Sequence, residues 1–149
     1  MAVSGSGLFV ATFIDVFDAT QLAVDLSSTG NKWALFTNLI TPNFTTDTAY
    51  GVAPYDTNEV SGAGYTAGGA AVASPTLTGA SGVITYDQAD TSWPTSTITG
   101  ARCALLYADG LASNSVICLV DFGADYSTSN GTLAVQWNAA GVFTLDLVP

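Results

Sequence analysis

The sequence predicts a mainly β fold, an antiparallel β-sandwich or jelly roll-like barrel with one short N-terminal helix. Three observations support this prediction. Apolar and polar residues alternate over much of the chain, turn-forming sequences separate the alternating stretches, and helical spacing occurs only near the start. The chain has 149 residues, close to the usual size of one domain, so residues 1–149 are expected to form a single β domain.

The N-terminal segment has the spacing of a helix. Phe9, Phe13 and Phe17 recur every four residues, which places them on one helical face. We expect a helical segment within residues 1–20, with Thr12 facing away from the apolar face. Such a helix either covers a sheet, which is the favoured interpretation, or docks a partner.

The spacing changes to two from Leu22 onward. Leu22, Val24 and Leu26 alternate with residues that would face the other way, and residues 32–37 (KWALFT) are predicted to return as the second strand of a hairpin. The Ser, Thr, Gly and Asn residues in between are typical of a turn.

The next part of the chain, residues 38–75, carries three prolines and a glycine-rich run at residues 61–70. Proline and glycine interrupt regular elements, so a long irregular loop region is expected here. Loops held by a rigid scaffold often carry recognition, but irregular packing explains the composition equally well.

A hairpin is predicted within residues 98–122, where two alternating stretches flank a polar turn. The register that makes one face of this ribbon wholly apolar places Cys103 opposite Cys118. In that register Arg102 lies diagonal to Asp121, within reach of a cross-strand ion pair.

A short strand at residues 82–86 and a last hairpin around residues 138–141 (NAAG) complete the predicted sheet. The predicted pairs of the last hairpin are Trp137 with Phe143, Val135 with Leu145 and Leu133 with Leu147. The predicted core consists of Trp33, Leu35, Leu105, Val116, Val120, Leu133, Val135, Trp137, Phe143 and Leu145.

The composition offers little for catalysis. The chain has no histidine, which removes the commonest general base and zinc ligand. Cys103 and Cys118 are expected to be buried thiols, with a cross-strand disulfide as the alternative. The oxygen-rich stretch at residues 121–131 lacks calcium-loop spacing, so a plain polar loop is favoured. We expect no enzyme, no catalytic residue, no cofactor and no metal.

The charge balance excludes nucleic acids as partners. Two cations stand against twelve carboxylates, for a formal net charge of −10. Nucleic-acid binding depends on cations that replace the counterions of phosphates, so DNA and RNA are excluded as ligands. No segment approaches the about 20 consecutive apolar residues that span a bilayer, so no membrane association is expected.

Four motifs together resemble a family of small virion structural proteins of tailed bacteriophages. They are NEVSGAGYTAGG at residues 58–69, STIT at residues 96–99 after Trp93, DFGAD at residues 121–125 and QWNAAG at residues 136–141. With the N-terminal helix and the KWALFT stretch, the resemblance runs across nearly the whole chain. It implies a protein associated with the head or tail of a virion, and it carries over no catalytic residue.

The resemblance implies that the partners are the major capsid protein or other virion proteins. The acidic charge disfavours a position against the packaged genome, so the expected role is decoration or cementing of the outer surface of the head. A homo-oligomer, with a trimer favoured, and synthesis in the host bacterial cytoplasm are also expected. Alternatives are a tail, connector or fibre-base component and a carbohydrate-binding β module that uses exposed aromatic residues such as Trp93, Tyr50, Tyr55 and Tyr65. The candidate partner-contact residues are Phe9, Phe13, Tyr50, Tyr55 and Tyr65.

Overall fold

The computed structural model describes residues 2–148, which form ten strands and one short helix. The helix α1 spans Val10–Phe17, and the strands are β1 (Gly7–Leu8), β2 (Lys32–Phe36), β3 (Ala70–Ala71), β4 (Thr76–Ala80), β5 (Val83–Asp87), β6 (Thr91–Ser96), β7 (Ala101–Tyr107), β8 (Val116–Tyr126), β9 (Gly131–Val135) and β10 (Phe143–Asp146). All pairs of these strands are antiparallel. The predicted class, a mainly β, sandwich-like fold with one short helix, is confirmed.

The strands form three sheets, a central one, a small one and a two-stranded ribbon. The central sheet has five strands in the order β1-β8-β7-β2-β3, the small sheet has the order β10-β5-β4, and a ribbon pairs β6 with β9. Successive side chains of a strand point to opposite faces of its sheet. Both faces of the central sheet are covered, so β7 is buried over almost its whole length.

One face of the central sheet packs against strands. Trp33 and Leu106 point to this face, where they belong to one buried cluster with Tyr86 of the small sheet and with Trp93 and Leu133 of the β6–β9 ribbon. This cluster is the interior of the sandwich, because sheets lie on both sides of it.

The other face packs against irregular chain. Phe36 and Leu105 point to this face and form a second buried cluster with Phe9, Ile40 and Tyr55. Phe9 precedes α1, whereas Ile40 and Tyr55 belong to the irregular region at residues 38–75. That region is therefore a packed layer that covers the central sheet, with β3 and two isolated bridges as its regular parts.

The N-terminal helix is confirmed, but its orientation differs from the prediction. Thr12, expected to face away, is 2% exposed, and its hydroxyl donates a hydrogen bond to the carbonyl of Val116. Val10, Ile14 and Phe17 are exposed instead. Apolar residues occur on both sides of α1, so their spacing alone could not decide which side would meet the sheet.

The predicted hairpin between residues 22–26 and 32–37 does not form. Leu22, Val24 and Leu26 are each more buried than their neighbours, as the alternation predicts, but they lie outside any strand. Both edges of β2 are occupied by β7 and β3, so no edge is left for a local partner.

The hairpin of β7 and β8 is confirmed, with a different register. Cys103 pairs with Asp121, and Cys118 pairs with Leu106. The shift of three positions places the two cysteines in different clusters, one on each face of the sheet. Both faces are apolar and buried, so an apolar pattern could not select the register. The predicted ion pair forms, because Arg102 Nε lies 2.8 Å from Asp121 Oδ1.

The last predicted hairpin is correct only at its turn. The amide of Gly141 donates to the carbonyl of Asn138 over 2.8 Å, but β9 pairs with β6 and β10 pairs with β5. The three predicted pairs are therefore wrong. The strand β6 was missed because Pro94 and its many hydroxyl residues hide the strand pattern.

Of the ten predicted core residues, five are buried and five are partly buried. Trp33, Leu35, Leu105, Val116 and Leu133 are buried, while Val120, Val135, Trp137, Phe143 and Leu145 are partly buried.

Gly69 lets the irregular region approach the central sheet. Its φ is +80°, and an added Cβ would overlap with the carbonyl of Trp33. Gly100 has a similar φ of +68° with open space around it.

A positive φ costs an alanine about 1–2 kcal/mol at either site, and overlap with backbone adds about 1–3 kcal/mol at Gly69 alone. We expect Gly69→Ala to lower the free energy of unfolding, measured by urea denaturation, by clearly more than Gly100→Ala. Equal losses would contradict the close approach.

Candidate interaction surface

Two of the five predicted contact residues are core residues. Phe9 is 0% and Tyr55 is 2% exposed. The Phe9 ring packs against Phe44 and Tyr55, with centroid distances of 5.2 Å and 5.9 Å, and the Tyr55 hydroxyl donates to Asp47. The sequence placed Tyr55 in an irregular region and Phe9 on a helical face, but it did not indicate that both side chains turn inward. Burial removes Phe9 and Tyr55 from the surface that a partner could contact.

Tyr50 and Tyr65 are partly buried and share one carboxylate. The Tyr50 hydroxyl donates to Glu59 Oε2 over 2.7 Å, and the Tyr65 hydroxyl donates to Glu59 Oε1 over 2.6 Å. Glu59 Oε1 also accepts the amide of Gly68 over 2.7 Å. The carboxylate therefore joins three separate parts of the irregular region.

The same network reaches the central sheet. The Tyr50 ring stacks on Tyr107 of β7 with a centroid distance of 4.3 Å, and the Tyr107 hydroxyl donates to the carbonyl of Gly68. The Tyr65 hydroxyl accepts the amide of Leu35 over 2.9 Å. Burial, together with the Glu59 carboxylate, raises the pKa of Tyr50 and Tyr65, so both remain protonated hydrogen-bond donors. These contacts anchor the irregular region.

The aromatic residues considered for carbohydrate binding do not form an exposed platform. Trp93 is 4% exposed and lies 6.1 Å from the Tyr65 ring inside the first cluster. Tyr50 and Tyr65 are partly buried and Tyr55 is buried. Sugar rings stack on accessible aromatic faces, which these four residues do not offer.

Both cations are paired with carboxylates. Lys32 Nζ lies 2.8 Å from Asp109, and Arg102 contacts Asp121 at 2.8 Å and Asp125 at 3.6 Å. Asp121 and Asp125 belong to β8, which extends into the stretch expected to be a loop. Within residues 2–148, no three acidic or cysteine side chains converge as a metal site would require.

The two thiols are buried and free, as the favoured interpretation predicted. Burial raises the pKa of Cys103 to about 12 and also raises the pKa of Cys118. A thiol is nucleophilic as its thiolate, so neither side chain is prepared for covalent chemistry.

An apolar groove separates the helix α1 from the strand β10. Its volume is about 850 Å³. Its lining combines residues of two origins: Leu8, Val10, Phe13, Ile14 and Phe17 from the N-terminal segment, and Ile84, Leu145 and Leu147 from the small sheet and its C-terminal extension. We call this surface the helix–sheet groove. Phe13 is the one predicted contact residue that lines it.

Several of the groove side chains are exposed to solvent to an unusual degree. Phe17 is 81%, Ile14 57% and Leu147 65% exposed. Solvent-exposed apolar residues are common singly, but their concentration in one place marks an interaction site. Asp18 and Asp146 are the charged residues among those that line the groove, so its electrostatic potential is negative. The groove is therefore suited to a partner that is apolar at its centre and basic at its margins.

Comparisons with known proteins give no match. No protein-family profile, curated protein or solved structure matches this chain. Among residues 2–148, no helix has the length and apolar character that crossing a bilayer requires.

Removal of the Glu59 carboxylate tests the anchoring network. Glu59→Ala leaves the amide of Gly68 and two tyrosine hydroxyls without their acceptor, so we expect a loss of about 3 kcal/mol in the free energy of unfolding. Asp56→Ala removes the same charge from an exposed position in the same region and should change stability by less than about 0.5 kcal/mol. Similar losses in urea denaturation of the two variants would contradict the anchoring role.

Proposed function

We propose that this chain is a non-enzymatic virion structural protein that decorates or cements the outer surface of a tailed-phage capsid. The observation that carries the proposal is the exposed helix–sheet groove. The four motifs that resemble small phage virion proteins suggest the biological setting, and the groove supplies a surface with which the chain can join a larger assembly.

The groove favours assembly because its apolar side chains face water in the isolated chain. Full burial of one large apolar side chain contributes about 1.5–3 kcal/mol. Phe17, Ile14 and Leu147 are each more than half exposed, so a partner that covers them gains a substantial part of this energy. A ligand that binds only the assembled form of a shell stabilises that form by mass action.

Charge supports an external position and a basic partner. The formal net charge of −10 opposes contact with packaged nucleic acid. Asp18 and Asp146 at the groove favour a capsid-protein segment with apolar residues between Lys or Arg residues, because complementary charges steer association and select partners. The major capsid protein is the proposed source of that segment.

The position of the chain in a virion tests the proposal. Particles of the virus that encodes the chain are purified by density gradient, and the amount of this protein relative to the major capsid protein is measured by gel densitometry. We expect of the order of hundreds of copies, as a symmetric shell requires, accessible to an antibody on intact heads. A single ring of copies would favour the alternative of a tail or connector component. Absence from particles would overturn both.

The groove itself is tested by Phe17→Ser. Phe17 is 81% exposed, so its loss should leave the free energy of unfolding within about 0.5 kcal/mol of the original value. We expect binding to capsids that lack the protein to weaken at least about tenfold, as for a central apolar contact. Leu39→Ser is the matched control, because Leu39 is 66% exposed and lies outside the groove. Equal binding by both variants would exclude the groove as the contact surface.

A further inference from the structure

The strand β4 is an open sheet edge of unusual character. All five of its residues are exposed, and the strand pairs with β5 along one side only among the residues that the structure describes. Its five register pairs with β5 run without a shift. Such an edge presents unpaired backbone N–H and C=O groups to solvent and can accept another strand.

The outer strands of the central sheet and the strand β6 are protected, whereas β9 and β10 also have an unpaired side within the described residues but are partly buried. The central sheet ends in β1 and β3, each of two residues, and short edge strands pair poorly with other chains. In β6 a proline, Pro94, lies within a register shift between Trp93 and Ser96. β4 has neither proline nor charge within it. Full exposure, together with the absence of proline and charge, distinguishes β4 from the other strands with an unpaired side.

Charge decides which strand this edge can accept. A second copy of the chain also has a formal net charge of −10, so most contacts between copies bring carboxylates together. Residues 60–86 contain no charged residue, and β4 lies within them. The edge is thus a surface on which two copies can meet without placing carboxylates opposite each other.

The sequence of β4, TLTGA, is complementary to itself. We propose that two copies of the chain pair through β4, antiparallel, about a two-fold axis at Thr78. Thr78 then faces its own counterpart, and threonine pairs across antiparallel strands are favourable. Leu77 lies opposite Gly79 of the second copy, where an added Cβ would meet nothing within 4 Å, so the large side chain has space.

The result is a continuous sheet in the order β10-β5-β4-β4-β5-β10. A contact of two five-residue strands is far smaller than the about 800 Å² per partner of a stable interface. The pairing is therefore weak in dilute solution and strengthens where copies are concentrated. It is a property of the isolated chain and does not require the proposed virion role. A trimer, the oligomer expected for a decoration role, would need a second and different interface.

A cysteine at the axis tests the pairing directly. Residues that face each other on antiparallel strands have Cα atoms about 4.5–5.5 Å apart, which a disulfide can join. We expect Thr78→Cys to form a covalent dimer under mild oxidation. Thr41→Cys is the control, because Thr41 is exposed and lies outside any strand and outside the groove. The native Cys103 and Cys118 are buried and should not contribute.

A charge at the axis provides the second measurement. Thr78→Lys places two like charges opposite each other, so sedimentation velocity should lose the concentration-dependent dimer that the original chain and Thr41→Lys both form. The proposal is overturned if Thr78→Cys forms no more covalent dimer than Thr41→Cys. If, in that case, Thr78→Lys alone loses binding to capsids, the edge accepts a strand of another protein and not a second copy.

Discussion

The burial of the central sheet on both faces is the constraint on which the rest of the structure depends. β7 is apolar almost throughout and buried on both faces, so two separate layers must cover it. The β6–β9 ribbon and the small sheet supply one layer, and the segment before α1 and the irregular region supply the other. An irregular layer lacks the ladder of hydrogen bonds that stabilises a sheet, and its polar groups need other partners when buried. The Glu59 carboxylate and its tyrosines meet that need.

The distribution of charge follows from the same arrangement. With only 9% charged residues, the chain keeps its two cations at positions where they neutralise carboxylates beside the central sheet. The remaining carboxylates face no cation within 4 Å among residues 2–148. Net charge of one sign keeps molecules apart in solution, so contacts between copies are restricted to uncharged surfaces. The groove and the β4 edge differ in this respect, because carboxylates flank the groove and none lies in β4.

The features that were predicted correctly are those that depend on the alternation of apolar and polar residues and on turn-forming sequences. The class of fold, the β7–β8 hairpin, the Arg102–Asp121 ion pair and the turn at residues 138–141 all depend on neighbours in sequence or on a single pair of strands. The pairing of β9 with β6 and of β10 with β5 depends on distant strands, and the turn between β9 and β10 carries no information about them. The register of Cys103 was missed because alternation selects a register only when one face is polar, and here both faces are buried. The helix–sheet groove was anticipated only through Phe13, since its other wall comes from residues about 70 or more positions away along the chain.

The small sheet connects the two proposed contacts. One of its outer strands, β10, borders the helix–sheet groove, and the other, β4, is the open edge. The middle strand β5 is held to the core by Tyr86, which is 0% exposed and donates to the Gln88 side-chain oxygen that also accepts the Trp33 indole N–H. A partner in the groove and a second copy at β4 would therefore bind the same three-stranded sheet at its two opposite edges, so the small sheet would join the two partners directly.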